Sequence, residues 1–325
     1  MAKSTFSNPK MYHVAVLLAS VVVLASGHSH VTNFVIDGAS YEGFNPRSTT
    51  PEALAAWRTS VINDGWVSTE SYGKPDIVCH IKATSAHAHA PVAAGDTIGF
   101  QWQGWPESHH GPILTYLAYC GKESGSCEAA DRTKLNFFAI DRVGLVDSKV
   151  NATSFATAWG IWASDILIRN NATWTVQIPP EVVPGHYVLR HEIIALHYAR
   201  YPGQGAQHYP QCINIEVVGG GDDKPLGILG MDLYQPAEEG LTYDISQSPT
   251  GTPNNLPWCD NVRITNWDIH QVLGDCDNRW RNANQSVVGK AGYLPEELCP
   301  DITAYGNGNA GSGTVLWRKA TNGGF

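Results

Sequence analysis

The fold is decided by the stretch Gly185-His-Tyr-Val-Leu-Arg-His-Glu-Ile-Ile-Ala-Leu-His197, which we expect to form one long β-strand. Aromatic and β-branched side chains favour extended backbone, and a glycine stands where the stretch begins. A second strand is predicted over Cys212-Ile-Asn-Ile-Glu-Val-Val218, because this apolar run ends at three consecutive glycines. These two predicted strands indicate a β protein.

Shorter runs earlier in the chain strengthen this interpretation. Each of them is rich in β-branched or aromatic residues and is bounded by turn residues, such as Asp37-Gly38 after the first run. Many short strands separated by turns favour an all-β sandwich. We expect the long connections 37–75 and 141–173 to be surface loops or short helices. The predicted short strands are 31–36, 96–102, 113–119 and 174–178.

Composition limits the function classes. The 325 residues include 32 glycines, 11 tryptophans and 13 tyrosines, and only 16% of the residues are charged. The net charge of −9 argues against nucleic acid or an anionic membrane as partner. After the N-terminal region, no apolar stretch is long enough to span a membrane. We expect a secreted, loop-rich monomer.

The first 27 residues have the layout of a secretory signal peptide. Lys3 and Lys10 precede an apolar run, and Ala25 and Gly27 are the small residues before the expected cleavage point. Cleavage after Gly27 makes His28 the first residue of the mature protein. The alternatives are cleavage after Ser29, or a buried strand or membrane anchor in place of a signal.

The cysteines and glycosylation sequons agree with an oxidising, extracellular location. Seven cysteines follow residue 27, and in such a compartment they favour disulfides over a metal site. The short spacing of Cys120 and Cys127 suggests a local link, and the odd number leaves one thiol unexplained. The sequons begin at Asn151, Asn171 and Asn284.

The amino-acid composition of the chain changes after residue 246. Residues 247–257 are rich in turn-forming residues and form an expected linker. Beyond them lie three cysteines (Cys259, Cys276, Cys299) and four tryptophans without a repeat or a clear periodicity. The predicted organisation is a signal peptide over 1–27, a β-sandwich domain over 28–246, and a C-terminal extension of unknown fold over 247–325.

An N-terminal histidine is a chelator that no internal histidine can equal. His28 would offer its α-amine and an imidazole nitrogen, and either His109 or His110 could add a third nitrogen. Three nitrogens in one plane suit Cu(II), which prefers tetragonal geometry.

A second cluster is expected from His197, Gln207 and Tyr209. Gln207 and Tyr209 are two residues apart and share one face of a strand. Beside a metal, the phenol could lie axially, while the amide and imidazole could hydrogen-bond a bound oxygen species. Each of these residues, taken alone, has a simpler interpretation. His109 and His110 could lie in a solvated loop, His197 could be a core histidine, and Tyr209 could be an ordinary buried tyrosine.

A glycoside hydrolase is the competing enzymatic interpretation. Such an enzyme needs a pair of carboxylates that need not be close in sequence, and Glu192 and Asp165 are the candidates. The histidines His191 and His197 are six apart, which does not fit the zinc-protease spacing of four.

Six segments, taken in order, resemble one family. The chain resembles the fungal copper-dependent lytic polysaccharide monooxygenases of auxiliary activity family 9, once classed as glycoside hydrolase family 61. The likeness extends from His28 to about residue 246. It is carried by His28-Ser-His-Val, Pro75-Asp-Ile-Val-Cys-His80, Trp105-Pro-Glu-Ser-His-His-Gly-Pro112, Gly160-Ile-Trp-Ala-Ser-Asp165, Pro184 to His197, and Gln207-His-Tyr-Pro-Gln-Cys212.

The resemblance implies an immunoglobulin-like (fibronectin type III-like) β-sandwich with a flat substrate face. It implies one copper ion held by His28 and His109 with Tyr209 axial, and a second-sphere pair of His197 and Gln207. It also implies the disulfides Cys79–Cys212 and Cys120–Cys127. Tyr41, in the 37–75 connection, is the candidate for stacking on sugar rings.

The implied reaction is oxidative cleavage of β-1,4-glucan, most often cellulose, through hydroxylation at C1, C4 or both. The co-substrate is O2 or H2O2, and an external reductant such as ascorbate, a small phenol or a secreted dehydrogenase supplies electrons. The departure from the family lies after Gly240-Leu-Thr-Tyr-Asp-Ile-Ser246, where the expected Tyr- and Pro-rich ending is replaced. A non-catalytic secreted copper-binding protein with the same ligands stays an alternative.

Overall fold

The computed structural model describes residues 29–47, 54–151, 158–236, 238–246 and 316–317. Within these ranges the chain forms thirteen strands and two short α-helices, α1 (Asp76–Cys79) and α2 (Ala163–Arg169). No helix in the described part is long and apolar enough to cross a membrane. The strands are β1 (Val31–Ile36), β2 (Ala39–Glu42), β3 (Ala90–Ala93), β4 (Thr97–Trp102), β5 (Ile113–Gly121), β6 (Asn136–Val143), β7 (Leu145–Asn151), β8 (Trp159–Trp162), β9 (Thr173–Gln177), β10 (Gly185–Ala195), β11 (Gln207–Val218), β12 (Ile228–Leu229) and β13 (Leu316–Trp317).

The strands form two large sheets and one small one. The first sheet has the order β13-β2-β1-β4-β9, the second has the order β12-β6-β5-β10-β11-β3, and β7 pairs with β8. A core of apolar side chains from both large sheets lies between them, which confirms the predicted immunoglobulin-like sandwich. That core includes Phe34, Ile98 and Phe100 of the first sheet and Leu189, Ile213 and Ile215 of the second.

The two longest strands of the second sheet are β10 and β11, which are neighbours in it. They are antiparallel, with Gly185 opposite Val217 and Ala195 opposite Gln207. Both faces of β10 are buried, because the inner face meets the first sheet and loops cover the outer face. The burial includes the polar residues of the strand, because Arg190, His191 and Glu192 are all fully buried.

The outer face of β10 carries a buried ion pair. Arg190 donates two hydrogen bonds to Glu192, at 2.7 and 2.8 Å, and both side chains are fully buried. His208 and the hydroxyl of Tyr234 also bond to the Glu192 carboxylate. Tyr234 belongs to the segment after β12, so the network ties that segment to the sheet.

Both predicted disulfides are present. The Cys79–Cys212 bond joins α1 to β11 on the outer face of the second sheet, and the Cys120–Cys127 bond closes a short loop after β5. Cys259, Cys276 and Cys299 lie outside the described residues, as do residues 1–27 and the linker 247–257.

Two connections contain more structure than expected. The region 141–173 holds β7, β8 and α2, and the region 37–75 begins with β2. Asp37 and Gly38, both with positive φ, make the tight turn that pairs β2 with β1. At the other edge of β2, β13 pairs in parallel, with Leu316 opposite Ala39.

Candidate functional site

The candidate site lies where β10 ends and β11 begins. Gln207 and Tyr209 are two residues apart in β11, so both lie on its inner face. They are opposite Ala195 and Ile193 of β10. The Tyr209 hydroxyl donates a 3.0 Å hydrogen bond to Oε1 of Gln207. Burial raises the pKa of Tyr209 above its usual range, so the phenol keeps its proton at neutral pH.

The loop between β4 and β5 brings His109 to the same place. The indole N–H of Trp105 donates to the carbonyl oxygen of His109 at 2.8 Å, and the Trp105 ring makes an edge contact with Tyr209, with ring centroids 5.0 Å apart. The rings of His109 and His197 lie 3.9 Å apart between centroids. The structure therefore brings His109, His197, Gln207 and Tyr209 together, with Trp105 packed among them.

His110 points away from this cluster. Its side chain is 2% exposed, and its Nδ1 lies 2.7 Å from Oδ1 of Asp165 in the first turn of α2. The other Asp165 oxygen accepts the backbone N–H of Trp162 at 2.8 Å, as a cap of the helix. The next residue, Gly111, donates its N–H to the Ser164 hydroxyl at 2.9 Å. Thus α2 fixes the loop, and His109 faces the site.

The beginning of the described chain is fixed beside this loop. Ser29 and His30 are buried, and the His30 carbonyl accepts the N–H of Gln103 at 3.0 Å. His30 also pairs with Asp64, with 2.8 Å between Nδ1 and Oδ1. His28 itself lies outside the described residues. The position of Gln103, two residues before Trp105, brings the start of β1 close to the site.

Comparison with known proteins establishes the family. A profile of Auxiliary Activity family 9 (formerly GH61) matches residues 28–254, which is more than half of the chain. The chain belongs to this family. The matched region contains the whole of the site described above, and most of residues 247–325 lie beyond it.

Individual relatives agree with the family assignment. An AA9 family lytic polysaccharide monooxygenase A from Talaromyces verruculosus is 47% identical over 238 residues, which cover 71% of this chain and 69% of the relative. The solved extended catalytic domain of Hypocrea jecorina LPMO9A is 45% identical, with a TM-score of 0.62, over 69% of this chain and 87% of that one. A structure described as a cellulose-active polysaccharide monooxygenase from M. thermophila is 27% identical, with a TM-score of 0.58, over 68% of this chain and 92% of that one.

Membership of AA9 makes the chain a copper-dependent polysaccharide monooxygenase of a secreted family. The clustered residues fit a copper ion on chemical grounds. They supply an imidazole and a neutral phenol, ligands of the kind that copper accepts. The His109 carbonyl is held by Trp105, and Nδ1 of the His109 ring lies 3.0 Å from the Ser108 hydroxyl, which restricts the ring's orientation.

Tyr41 was expected on the substrate surface, but the structure places it in the core. It lies in β2, is only 3% exposed, and stacks on Phe34 in the core with 5.3 Å between ring centroids. A ring enclosed in this way has no face for a sugar. The exposed aromatic residues beside the site are instead Tyr198 and Tyr201, each 41% exposed. Sequence reasoning missed them, although Tyr198 directly follows His197.

The carboxylates proposed for a glycoside hydrolase do not serve that role. Glu192 is fully buried against Arg190, on the outer face of the sheet. Asp165 is occupied by His110 and by the backbone of α2. Neither carboxylate can protonate or attack a glycosidic bond, since neither can meet the substrate.

The asparagines of the three glycosylation sequons lie in different surroundings. Asn171 lies in the turn after α2, has a positive φ of 56° and is exposed, so the position is accessible to a glycan. Asn151 ends β7. Asn284 lies outside the described residues.

Proposed function

We propose that this protein is a secreted AA9 enzyme whose catalytic domain spans 28–246 and which cleaves β-1,4-glucan chains, above all cellulose. The cleavage would follow hydroxylation at C1, C4 or both. The observation that carries the proposal is the convergence of His109, His197, Gln207 and Tyr209 at one end of the sheet. The likeness to a cellulose-active relative supports the choice of substrate.

In this proposal, signal removal after Gly27 makes His28 the N-terminal residue. Its amine and imidazole, with the imidazole of His109, would hold one copper ion, and the Tyr209 hydroxyl would lie beside it. When bound, copper supplies the one-electron chemistry that activates O2 or H2O2 after an external donor has reduced it. Ascorbate, a small phenol or a secreted dehydrogenase would be that donor.

The side chains around the ion would each have a separate role in positioning the oxygen co-substrate. Burial of Tyr209 raises its pKa and so favours the neutral phenol. Its hydroxyl occupies Oε1 of Gln207, which leaves the amide NH2 group of Gln207 to donate to the oxygen co-substrate. The imidazole of His197, against the ring of His109, would make a second polar contact to that co-substrate. Copper storage alone would not need these two side chains.

The polymer would lie over exposed tyrosines. The Tyr198 ring contacts His197 at 4.3 Å between centroids and Tyr201 at 6.1 Å. Arg200 covers the Tyr201 ring at 4.7 Å and is itself held by Asp244 at 2.6 Å. Exposed rings fixed in this way suit stacking on sugar faces, and a crystalline polymer needs such an open surface.

The first test concerns the N-terminus. The secreted protein should begin at His28 by mass spectrometry and should bind one copper ion with an axial Cu(II) spectrum. A variant with one alanine inserted before His28 should fold and lose oxidised products, because its α-amine is displaced. Full activity in that variant would refute the proposed ligands.

The second test compares adjacent histidines. His109→Ala should weaken copper binding more than His110→Ala, since only His109 faces the cluster. The reverse order would identify His110 as the ligand.

The third test reads the products on cellulose by mass spectrometry, with and without ascorbate, and so defines the reaction. Oxidised chain ends that require the reductant support the oxygenase. Plain reducing ends without reductant would indicate hydrolysis, and tight copper binding without products would indicate a binding protein.

A further inference from the structure

An α-amine ligand at the start of a chain needs contacts that hold it in place. The first residues of most domains are poorly ordered unless such contacts tie them down. In this chain the contacts begin at once, because Ser29 and His30 are both buried before β1 begins. The residues that hold this segment therefore decide how well the preceding residue, His28, is presented to a metal.

The side chain of His30 is held by Asp64, which lies in the 37–75 connection. Nδ1 of His30 lies 2.8 Å from Oδ1 of Asp64, and Arg47 donates a 2.6 Å hydrogen bond to the other carboxylate oxygen. The side chains of His30 and Asp64 are 11% and 1% exposed, whereas that of Arg47 is 55% exposed. One buried carboxylate thus bridges the N-terminal segment and a guanidinium at the surface.

Asp64 is itself fixed, because the backbone around it is held. It has a φ of 55°, in the left-handed region, which aspartate and asparagine tolerate better than most residues do. The carbonyl oxygen of the next residue, Gly65, accepts a 3.0 Å hydrogen bond from Nε2 of His80, a buried residue that follows α1. Nδ1 of His80 accepts the N–H of Ile81 at 2.9 Å, so Nε2 is the protonated nitrogen.

The segment 64–67 joins this anchor to the strand that carries two of the site residues. Val67 and His208 exchange two backbone hydrogen bonds, at 2.8 and 3.1 Å. His208 stands between Gln207 and Tyr209 in β11. Asp64 therefore holds His30 from a segment that is bonded to the position between these two site residues.

The backbone of His30 is tied to the other side of the site. Its carbonyl oxygen accepts the N–H of Gln103 at 3.0 Å, and Gln103 begins the loop between β4 and β5 that carries His109. His30 thus has its main chain bonded to the His109 loop and its side chain against the segment that is bonded to β11. It is the residue through which both elements act on the N-terminus.

We propose that Asp64 is a positioning residue for copper: by holding His30, it fixes the N-terminal segment so that the amine and imidazole of His28 meet His109. The inference rests on the proposed function. A ligand that is ordered before binding loses little conformational freedom when the metal binds, so the affinity is higher. Asp64 touches neither the metal nor the polymer in this role and acts through His30 alone.

Asp64→Asn tests the proposal, with Asp37→Asn as the matched control. Asparagine tolerates the left-handed backbone, but its single acceptor oxygen cannot serve both His30 and Arg47. Asp37 also has a positive φ, of 47°, but it is exposed and lies at the far end of β1. In calorimetry of the secreted full chain, Asp64→Asn should bind Cu(II) about tenfold more weakly. Its Cu(II) EPR spectrum should also change, whereas Asp37→Asn should match the wild type in both measurements.

Hydrogen exchange of the copper-free protein gives a readout that needs no metal. Residues 29–36 should exchange faster in Asp64→Asn than in the wild type, and β10 should be unchanged. Faster exchange with wild-type copper affinity and spectrum would show that Asp64 only stabilises the fold, and would overturn the proposal. So would unchanged exchange, or an equal loss of copper affinity in Asp37→Asn.

A second variant covers the case in which Asp64→Asn does not fold. Arg47 is more than half exposed, so Arg47→Gln should fold and should weaken copper binding in the same direction, by a smaller factor. Unchanged copper binding and exchange in Arg47→Gln would then overturn the proposal. A wild type that binds no copper would refute the proposed function, and the role of Asp64 with it. Equal copper binding by the wild type and Asp64→Asn would refute the role of Asp64 alone.

Discussion

Replacing Glu192 by glutamine separates the two enzymatic interpretations in a single experiment. If Glu192 were a hydrolase carboxylate, Glu192→Gln would abolish activity at little cost in stability. In the structure, its carboxylate instead neutralises Arg190 in the interior and accepts from His208 and Tyr234. We therefore expect a large loss of stability and, in the protein that stays folded, retained oxidative activity.

The size of the loss follows from the burial of the pair. Both side chains are 0% exposed, so glutamine would leave the Arg190 guanidinium in the interior without a counter-charge among the described residues. Removing one member of a buried pair costs about 3–5 kcal/mol in the free energy of unfolding. Because a domain has about 5–15 kcal/mol in total, this loss is a large share of its stability.

The measurement is denaturant unfolding with the disulfides intact, compared with the matched control Glu181→Gln. Glu181 is exposed, and its replacement should change the free energy of unfolding by less than about 0.5 kcal/mol. The double variant Arg190→Met, Glu192→Leu should recover much of the loss, because no charge stays buried. A loss below about 1 kcal/mol for Glu192→Gln, or loss of oxidised products from the folded variant, would contradict the reasoning.

Three further outcomes are expected. Gly111→Ala should lower the melting temperature and weaken copper binding in calorimetry, because a Cβ there would lie 1.8 Å from the Ile194 carbonyl oxygen and the histidine loop would have to move; unchanged copper affinity would contradict this. Replacing Cys79 and Cys212 by serine should cost about 5 kcal/mol in denaturant unfolding, since the bond spans 133 residues; a cost near zero would show that the loop is held by other contacts. Burial alone would raise the pKa of Glu192, but its cationic partners lower it to about 2, so its stabilisation is complete above the unfolded-state pKa and is lost as pH falls from about 4.5 toward 2; acid unfolding that starts near neutral pH would have another cause.

Strand positions were predictable because local pattern and fold agree there. The runs 31–36 and 185–197 became β1 and β10 within two residues, since β-branched side chains, turns and glycines all favour the same structure. The local pattern predicted β11 only from Cys212, although Gln207 and Tyr209 were expected on one face of a strand. Its first residues include Gln207, His208 and Pro210, which are weak strand formers, and their extended form depends on pairing with β10.

Site residues were predictable as residue types, and their distances were not. Family motifs indicated His109 and Tyr209, but the separation of His109 from His110 depends on Asp165, 55 residues further along the chain. The Tyr41 prediction was wrong because it treated a loop as exposed, whereas that tyrosine pairs in β2 and packs on Phe34. Burial of this kind is decided by tertiary packing, which a local pattern does not contain.

An open site must take its precision from the scaffold, because no lid closes over a polymer surface. Here the described residues of the candidate copper site are held by elements that packing already fixes. Gln207 and Tyr209 project from the part of β11 that pairs with β10, and the His109 loop is bonded to α2 through Asp165 and Ser164. Catalytic groups on such supports keep their geometry without help from the substrate. The same reasoning explains why the charged network of Arg190 and Glu192 is tolerated behind the site: it joins the covering segment to the sheet and so stiffens β10, the strand that precedes His197.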